Sequence, residues 1–177
     1  MQGRHRDISG LTKLHIGCGG DFKGDYINID LYDDSVCDLK LDVVTLEGIP
    51  DNFADEVFHM HLLEHLDADQ GMEALRNWYR VLKPGGKLIY ECPEADETFR
   101  MWLAMSHEER WYKVQNLWHG YRMQIWGSQD VEGQQHKIIY DKPRMHELLK
   151  LVGFTQTSVE NINDPWLKEN MHVVAVK

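Results

Sequence analysis

The sequence is short of cysteine. It has three, Cys18, Cys37 and Cys92, and no Cys-x-x-Cys spacing. An odd count without that spacing excludes a disulfide framework and a zinc ribbon, and a reducing compartment is the simplest expectation. Positive charge is also lacking. The formal net charge is -10, and the basic residues Arg4, Arg6, Lys83, Lys87, Lys137 and Lys142 are scattered rather than gathered in a stripe. A field of that sign repels polyphosphates, so nucleic acid is disfavoured as a partner. No apolar stretch after Met1 reads as a signal sequence, and no window approaches the length of a membrane span. No internal repeat or low-complexity run is visible. A soluble cytoplasmic protein with no membrane partner is expected. What is present is 177 residues with 42% apolar content, enough for one domain spanning 1–177 around a single core.

Short apolar runs alternate with helical patterns, which predicts an α/β sheet. Strands are expected at 11–16, 26–30, 39–43, 56–60, 87–92, 155–160 and 172–176. A helix is predicted over 69–82, where Met72, Leu75, Trp78, Tyr79 and Leu82 recur at three- and four-residue spacing. Lys83-Pro84-Gly85-Gly86 stops it. A second helix is expected from Lys142 to Leu151, with Gly153 beyond its end. The segment 95–135 is several-fold longer than a parallel crossover needs. It holds Trp102, Trp111, Trp118 and Trp126, four of the six tryptophans. A helical insertion is expected there, acting as a lid or as a homodimer interface.

Glycines just past a first parallel strand let the backbone approach a ligand closely. Gly17-Cys18-Gly19-Gly20 has that place, although a Gly-x-Gly alone also fits any tight turn. Asp30 closes the second strand, where a carboxylate can accept both ribose hydroxyls of a nucleoside. Asp42 is placed to accept from an adenine amino group, or is a plain turn residue.

Five strings in order carry a family resemblance. They are Leu-His-Ile-Gly-Cys-Gly from Leu14, Asn28-Ile29-Asp30-Leu31, Leu41-Asp42-Val43, the run 55–66 containing Leu63-Glu64-His65-Leu66, and Arg80-Val81-Leu82-Lys83-Pro84-Gly85-Gly86. Leu148-Leu149 with Gly153-Phe154 adds a sixth. Over most of its length the chain resembles class I S-adenosylmethionine (SAM)-dependent methyltransferases. Within them it is most similar to small methyltransferases associated with glycan modification, which share Gly-Cys-Gly, Leu-Glu-His-Leu and a later Gly-x-Gln followed by His.

The resemblance implies a doubly wound, Rossmann-like sheet of seven mostly parallel strands with an antiparallel last strand. It implies SAM as methyl donor and a hydroxyl of a sugar or other small molecule as acceptor. It implies cofactor contacts from His15, Gly17, Cys18, Gly19, Asp30, Leu31, Asp42, Val43 and His61. At the place of His15 the family often has Glu or Asp, which helps hold the methionine ammonium. An imidazole there accepts one hydrogen bond but supplies no counter-charge. Only nine residues, Gly17 to Asp25, separate the first two strands, so the usual first crossover helix must be reduced or lost.

A hydroxyl acceptor benefits from a general base, and histidine suits neutral pH. His61, at the carboxyl edge of the sheet, is read as a cofactor contact, and His65 as satisfying a helix N-terminal turn. His136, where the insertion returns to the sheet after Gly127-Ser128-Gln129, is taken as the base or acceptor-orienting residue. No metal belongs to this site set. The alternative is that His61, Glu64 and His65 share a helix face and, with His136, hold a divalent ion. Small-RNA 3′-end 2′-O-methyltransferases do so with Glu-x-x-Glu-His and a distant His, which would make this chain a metal-assisted RNA methyltransferase. A third possibility is a degenerate methyltransferase fold serving as a binding module.

Overall fold

The computed structural model describes residues 6–32, 35–110, 121–129, 133–162 and 169–177, with the side chains of 121 and 122 left aside. The described residues form a six-stranded sheet. Its strands are β1 (Lys13–Ile16), β2 (Ile27–Ile29), β3 (Ala54–Met60), β4 (Leu82–Pro93), β5 (Gln156–Asn161) and β6 (Asn170–Val176). The order across the sheet is β2-β1-β3-β4-β6-β5. The first four are parallel to their neighbours, and β6 runs antiparallel between β4 and β5. The last strand is therefore the antiparallel one, as expected.

The expected seventh strand at 39–43 is not among the described strands. Leu39 makes a single parallel bridge with Ile29. Three residues on, the Asp42 carboxylate accepts the Val44 N–H at 2.8 Å. That local turn competes with the ladder and takes the chain away from the sheet edge. The segment is held instead by Arg6, whose guanidinium grips both oxygens of Asp38 at 2.7 and 2.8 Å.

Helix α1 (Ala68–Val81) opens on a capping box, with Asp67 and Gln70 each bonding the other's backbone N–H. It buries Gly71, Ala74, Leu75, Trp78 and Val81, a stripe at helical spacing. The expected stop at the Pro-Gly-Gly run comes one residue earlier, because Leu82 already pairs with Ala54. The run becomes a bulge inside β4, and Gly85 turns it at φ 79°. Three further helices are described: α2 (Ala95–Ala104), α3 (Tyr121–Trp126) and α4 (Lys142–Val152). The first two lie within the segment 95–135. Trp111 and Trp118 lie outside the described residues. Helix α4 starts on an Asp141 cap with Pro143 in its first turn, and ends at left-handed Gly153. Among the described residues, no helix is long and apolar enough to cross a membrane.

The sheet's two faces are filled differently. Leu14, Ile16, Ile27, Ile29, Val57, Leu88 and Tyr90 join Trp78 of α1 and Met145 and Leu149 of α4 in one core. On the other face His15 sits beside Asn28 and Phe58. No helix forms between β1 and β2, as the nine-residue crossover requires. Side chains substitute for it. Lys23 lies over the Phe58 ring, Lys13 over Tyr26 and Arg6 over Phe22, at 4.9, 5.2 and 4.9 Å from the ring centres. Such contacts contribute roughly 0.5–1 kcal/mol each at exposed sites, so this end of the sheet has a thinner cover.

The core contains one misfit. His59 is fully buried, stacked on Tyr90 at 4.5 Å and tilted against Trp78 at 4.7 Å. Neither ring nitrogen has a hydrogen-bond partner. Burial pushes its pKa well below 6.5, and the nearby His15 and His61 push it the same way. The folded chain holds this ring neutral while the unfolded chain protonates it near its ordinary value. His59 therefore contributes full stability above about pH 6.5 and loses it as pH falls, by up to about 1.4 kcal/mol per pH unit. Denaturant titrations of the parent and His59→Phe between pH 7 and 5 should show the parent losing stability faster. Parallel curves would refute the assignment.

Candidate active site

The carboxyl edge of the parallel strands gathers the predicted residues. After β1, Gly17 and Gly19 have φ of 61° and 48°, values that side chains resist. A Cβ on Gly19 would meet nothing within 4 Å, so the turn faces open space. Cys18 is buried and donates its N–H to the Ile29 carbonyl at 3.1 Å, which ties the turn to β2. Asp30 completes the tie. Its two carboxylate oxygens accept the Gly19 N–H at 2.9 Å and the Tyr32 N–H at 2.8 Å. A carboxylate oxygen can accept more than one hydrogen bond. Leu31, between these contacts, is half-buried.

Asp42 is exposed and Val43 is buried beneath it. The Val43 carbonyl accepts the Trp78 indole N–H at 2.8 Å, so the core of α1 fixes this rim. His15 lies lower, almost fully buried, with Nδ1 3.2 Å from the Asn28 side-chain oxygen and Nε2 4.0 Å from Asp21. Burial lowers its pKa against the pull of Asn28 and Asp21. The counter-charge that the imidazole lacks stands next to it, on Asp21.

At the end of β3 the chain turns at His61, a non-glycine residue at φ 48°. Such a conformation costs roughly 1–3 kcal/mol and persists where surroundings enforce it. Three contacts do so. The His61 N–H donates to the Glu91 carbonyl at 2.9 Å, Nδ1 meets Glu64 Oε1 at 2.9 Å, and Nε2 lies 3.3 Å from the Asn170 amide nitrogen. Burial works to lower the His61 pKa, but the Glu64 hydrogen bond and charge, with Glu91, raise it overall.

Glu64 and His65 follow in a single 3-10 turn, Leu63–His65, rather than on a helix face. The Glu64 carbonyl accepts the Lys137 and Ile138 N–H groups at 2.8 and 3.3 Å. These bonds bring His136 beside His65, with ring centres 4.8 Å apart at 73°. His136 Nδ1 is 3.0 Å from the Gln124 carbonyl. A carbonyl only accepts, so Nδ1 carries the proton and Nε2 keeps its lone pair. Burial lowers the His136 pKa despite the Glu64 charge, which keeps the ring neutral near pH 7.

The Gly-x-Gln string proves to be structural support for this histidine. Gly127 sits at φ 66° and pairs with Gln135. A Cβ there would lie 2.1 Å from the Gln134 carbonyl oxygen and 2.6 Å from the His136 ring. Sequence reasoning missed a further group. Glu94 Oε1, Thr98 Oγ1 and Asn170 Oδ1 are buried without hydrogen-bond partners around the ends of β4 and β6. The Glu following Pro93 was the one available signal.

With that geometry in hand, comparison with known proteins places the fold. Residues 14–90 match a family model described as a methyltransferase domain. No curated protein matches the chain. Solved structures that share its fold include three methyltransferases. A SAM-dependent methyltransferase from Archaeoglobus fulgidus is 18% identical, with TM-score 0.60, and the alignment covers 95% of this chain and 87% of that one. The 1,6-didemethyltoxoflavin-N1-methyltransferase of Burkholderia thailandensis, bound to 1,6-didemethyltoxoflavin and S-adenosylhomocysteine, is 17% identical, with TM-score 0.61 and coverage of 93% and 70%. Human N-acetylserotonin methyltransferase in complex with SAM is 15% identical, with TM-score 0.60, and this chain spans 47% of it. The fold is an α/β Rossmann-like methyltransferase fold with a mixed sheet. Its glycine turn, Asp30 and the edge of β3 all lie within the segment 14–90 that matches this family model.

Proposed function

We propose that this protein is an O-methyltransferase that moves a methyl group from SAM to a hydroxyl of a sugar or other small acceptor. The enzyme class and cofactor rest on the methyltransferase domain at 14–90 and on the SAM and S-adenosylhomocysteine held by proteins of this fold. The chain is a SAM-dependent methyltransferase. In this reading the adenosyl group lies across the strand ends between Gly17–Gly19, Asp30 with Leu31, and Asp42 with Val43, and His61 and the His15–Asp21 pair serve the methionine end.

The observation that carries the acceptor assignment is the His136 imidazole, neutral, with Nδ1 committed to the Gln124 carbonyl and Nε2 free to accept. The acceptor oxygen attacks the methyl carbon in line as the S–CH₃ bond breaks. The electron pair of that bond returns to sulfur, leaving S-adenosylhomocysteine, and the hydroxyl proton passes to His136 or is held by it in orientation. Alignment and desolvation supply most of the acceleration, and a positioned base adds about 10²- to 10⁴-fold.

Methyl-labelled SAM supplied with a panel of sugars, polyols, amines and carboxylic acids tests this directly. Label should enter hydroxyl acceptors as alkali-stable ethers, and His136→Gln should cut the rate by about 10²- to 10⁴-fold. Label confined to amines or carboxylates would overturn the acceptor class.

A further inference from the structure

The strongest feature left over is the cluster behind the acceptor edge. Ligand atoms of Glu64, His65 and His136 all lie within 4.8 Å of one another. Glu64 is 1% exposed, and its Oε2 is buried with no hydrogen-bond partner. An ionised carboxylate oxygen left bare inside a protein is costly unless a cation or donor meets it. Oε1 is not free to turn toward that need, because His61 Nδ1 holds it at 2.9 Å.

Both imidazoles are oriented the same way. His65 Nδ1 is 3.2 Å from the Gln135 carbonyl, and His136 Nδ1 is 3.0 Å from the Gln124 carbonyl. Each Nδ1 must therefore donate, which fixes the tautomer and leaves the Nε2 lone pair outward. Backbone carbonyls that hold the second nitrogen are how ligating histidines are usually positioned. His61 does the same for the carboxylate. The cluster thus has three groups able to ligate a metal, each held by a partner of its own: His61 for Glu64, the Gln135 carbonyl for His65 and the Gln124 carbonyl for His136.

We propose that Glu64, His65 and His136 form a site for one divalent transition-metal ion, of the zinc, manganese or cobalt type. Two imidazoles and one carboxylate suit these ions better than magnesium or calcium, which prefer all-oxygen sites. Metal–ligand bonds of about 2.0–2.2 Å place neighbouring ligand atoms some 3–3.5 Å apart, so binding draws the three groups together by up to about 1.5 Å from their span of 4.8 Å. Three protein ligands leave positions open for oxygen. The inference rests on the proposed function in one respect: the open positions lie at the acceptor edge, and the hydroxyl of a sugar or polyol occupies them. With its Nε2 lone pair on the ion, His136 would act on the acceptor through the metal in place of taking the proton itself, and the hydroxyl proton would leave to water.

The test uses the full chain stripped with EDTA and titrated with Co²⁺ alone, read by visible absorption, followed by displacement with Zn²⁺. One equivalent of Co²⁺ should give a ligand-field band that Zn²⁺ abolishes. His65→Gln and His136→Gln should each weaken binding by more than about 100-fold, and His61→Gln by about 10- to 100-fold as an outer partner. Glu64 is buried and its replacement puts the fold at risk, so the imidazole nitrogen resonances of the unaltered protein are measured as well. Zn²⁺ should shift Nε2 of His65 and His136 and leave His146 and His172 in place. No band, or equal affinity in the histidine variants, or shifts at other histidines would overturn the site. S-adenosylhomocysteine binding measured in EDTA separates the two ideas. Cofactor binding without Co²⁺ binding removes the metal alone, and Co²⁺ binding without cofactor binding removes the methyltransferase assignment alone.

Discussion

Gly127→Ala should inactivate the enzyme about as thoroughly as removing His136, a loss of roughly 10²- to 10⁴-fold in kcat, while the fold survives. The new methyl would stand 2.1 Å from a backbone carbonyl oxygen and 2.9 Å from the His136 backbone nitrogen. Neither can swing aside as a side-chain tip does, and φ of 66° adds strain for any β-carbon. The bridge to Gln135 must open, and the His136 ring leaves the Gln124 carbonyl. The core of α1, α4 and the sheet is remote from this bridge, so circular dichroism and thermal unfolding should change little. S-adenosylhomocysteine affinity should stay near the parent value. Near-parent turnover in Gly127→Ala would mean that His136 does no work in catalysis.

Asp30→Asn should weaken SAM and S-adenosylhomocysteine binding by about 10²-fold or more. The carboxylate accepts from Gly19 and Tyr32 with separate oxygens. An amide presents one oxygen and one NH₂, so one of those backbone donors would face another donor. Hydrogen bonds to a charged group are worth about 1.5–3 kcal/mol each, and 1.4 kcal/mol is tenfold in affinity. Losing one such bond and one ribose contact accounts for the expected effect. Calorimetry on the variant checks it. Unchanged affinity would place the nucleoside somewhere other than between this turn and β2.

Much of this was legible in the chain itself, for physical reasons. Helix α1 announced itself through its apolar stripe at three- and four-residue spacing, whereas its Asp67 cap emerged only from the structure. The antiparallel end of the sheet followed from the resemblance, and the missing first helix from nine residues that cannot span a crossover. The strand at 39–43 failed because Leu39-Lys40-Leu41 alternates like a strand while Asp42 satisfies a backbone N–H locally, a competition that periodicity does not register. His61 and Glu64 were placed on a helix face by their spacing, yet the chain makes a 3-10 turn there, and the pair bonds to itself. Gly127 was noticed as part of a string, but its function as packing space for the 134–136 backbone depends on a contact across the insertion. Glu94 and Thr98 are neighbours in the first turn of α2, but Asn170 joins them only through the β4–β6 pairing, which no local pattern encodes.

The account's central claim is that the Gly17–Gly19 turn, pinned by Asp30, is where the cofactor sits. Amide hydrogen exchange of the full chain with and without S-adenosylhomocysteine tests it most directly. The account predicts saturable protection confined to residues around 17–20, 30–32, 42–44 and 61, and its loss in Asp30→Asn. Saturable binding that protects other segments and leaves the turn unchanged would contradict it.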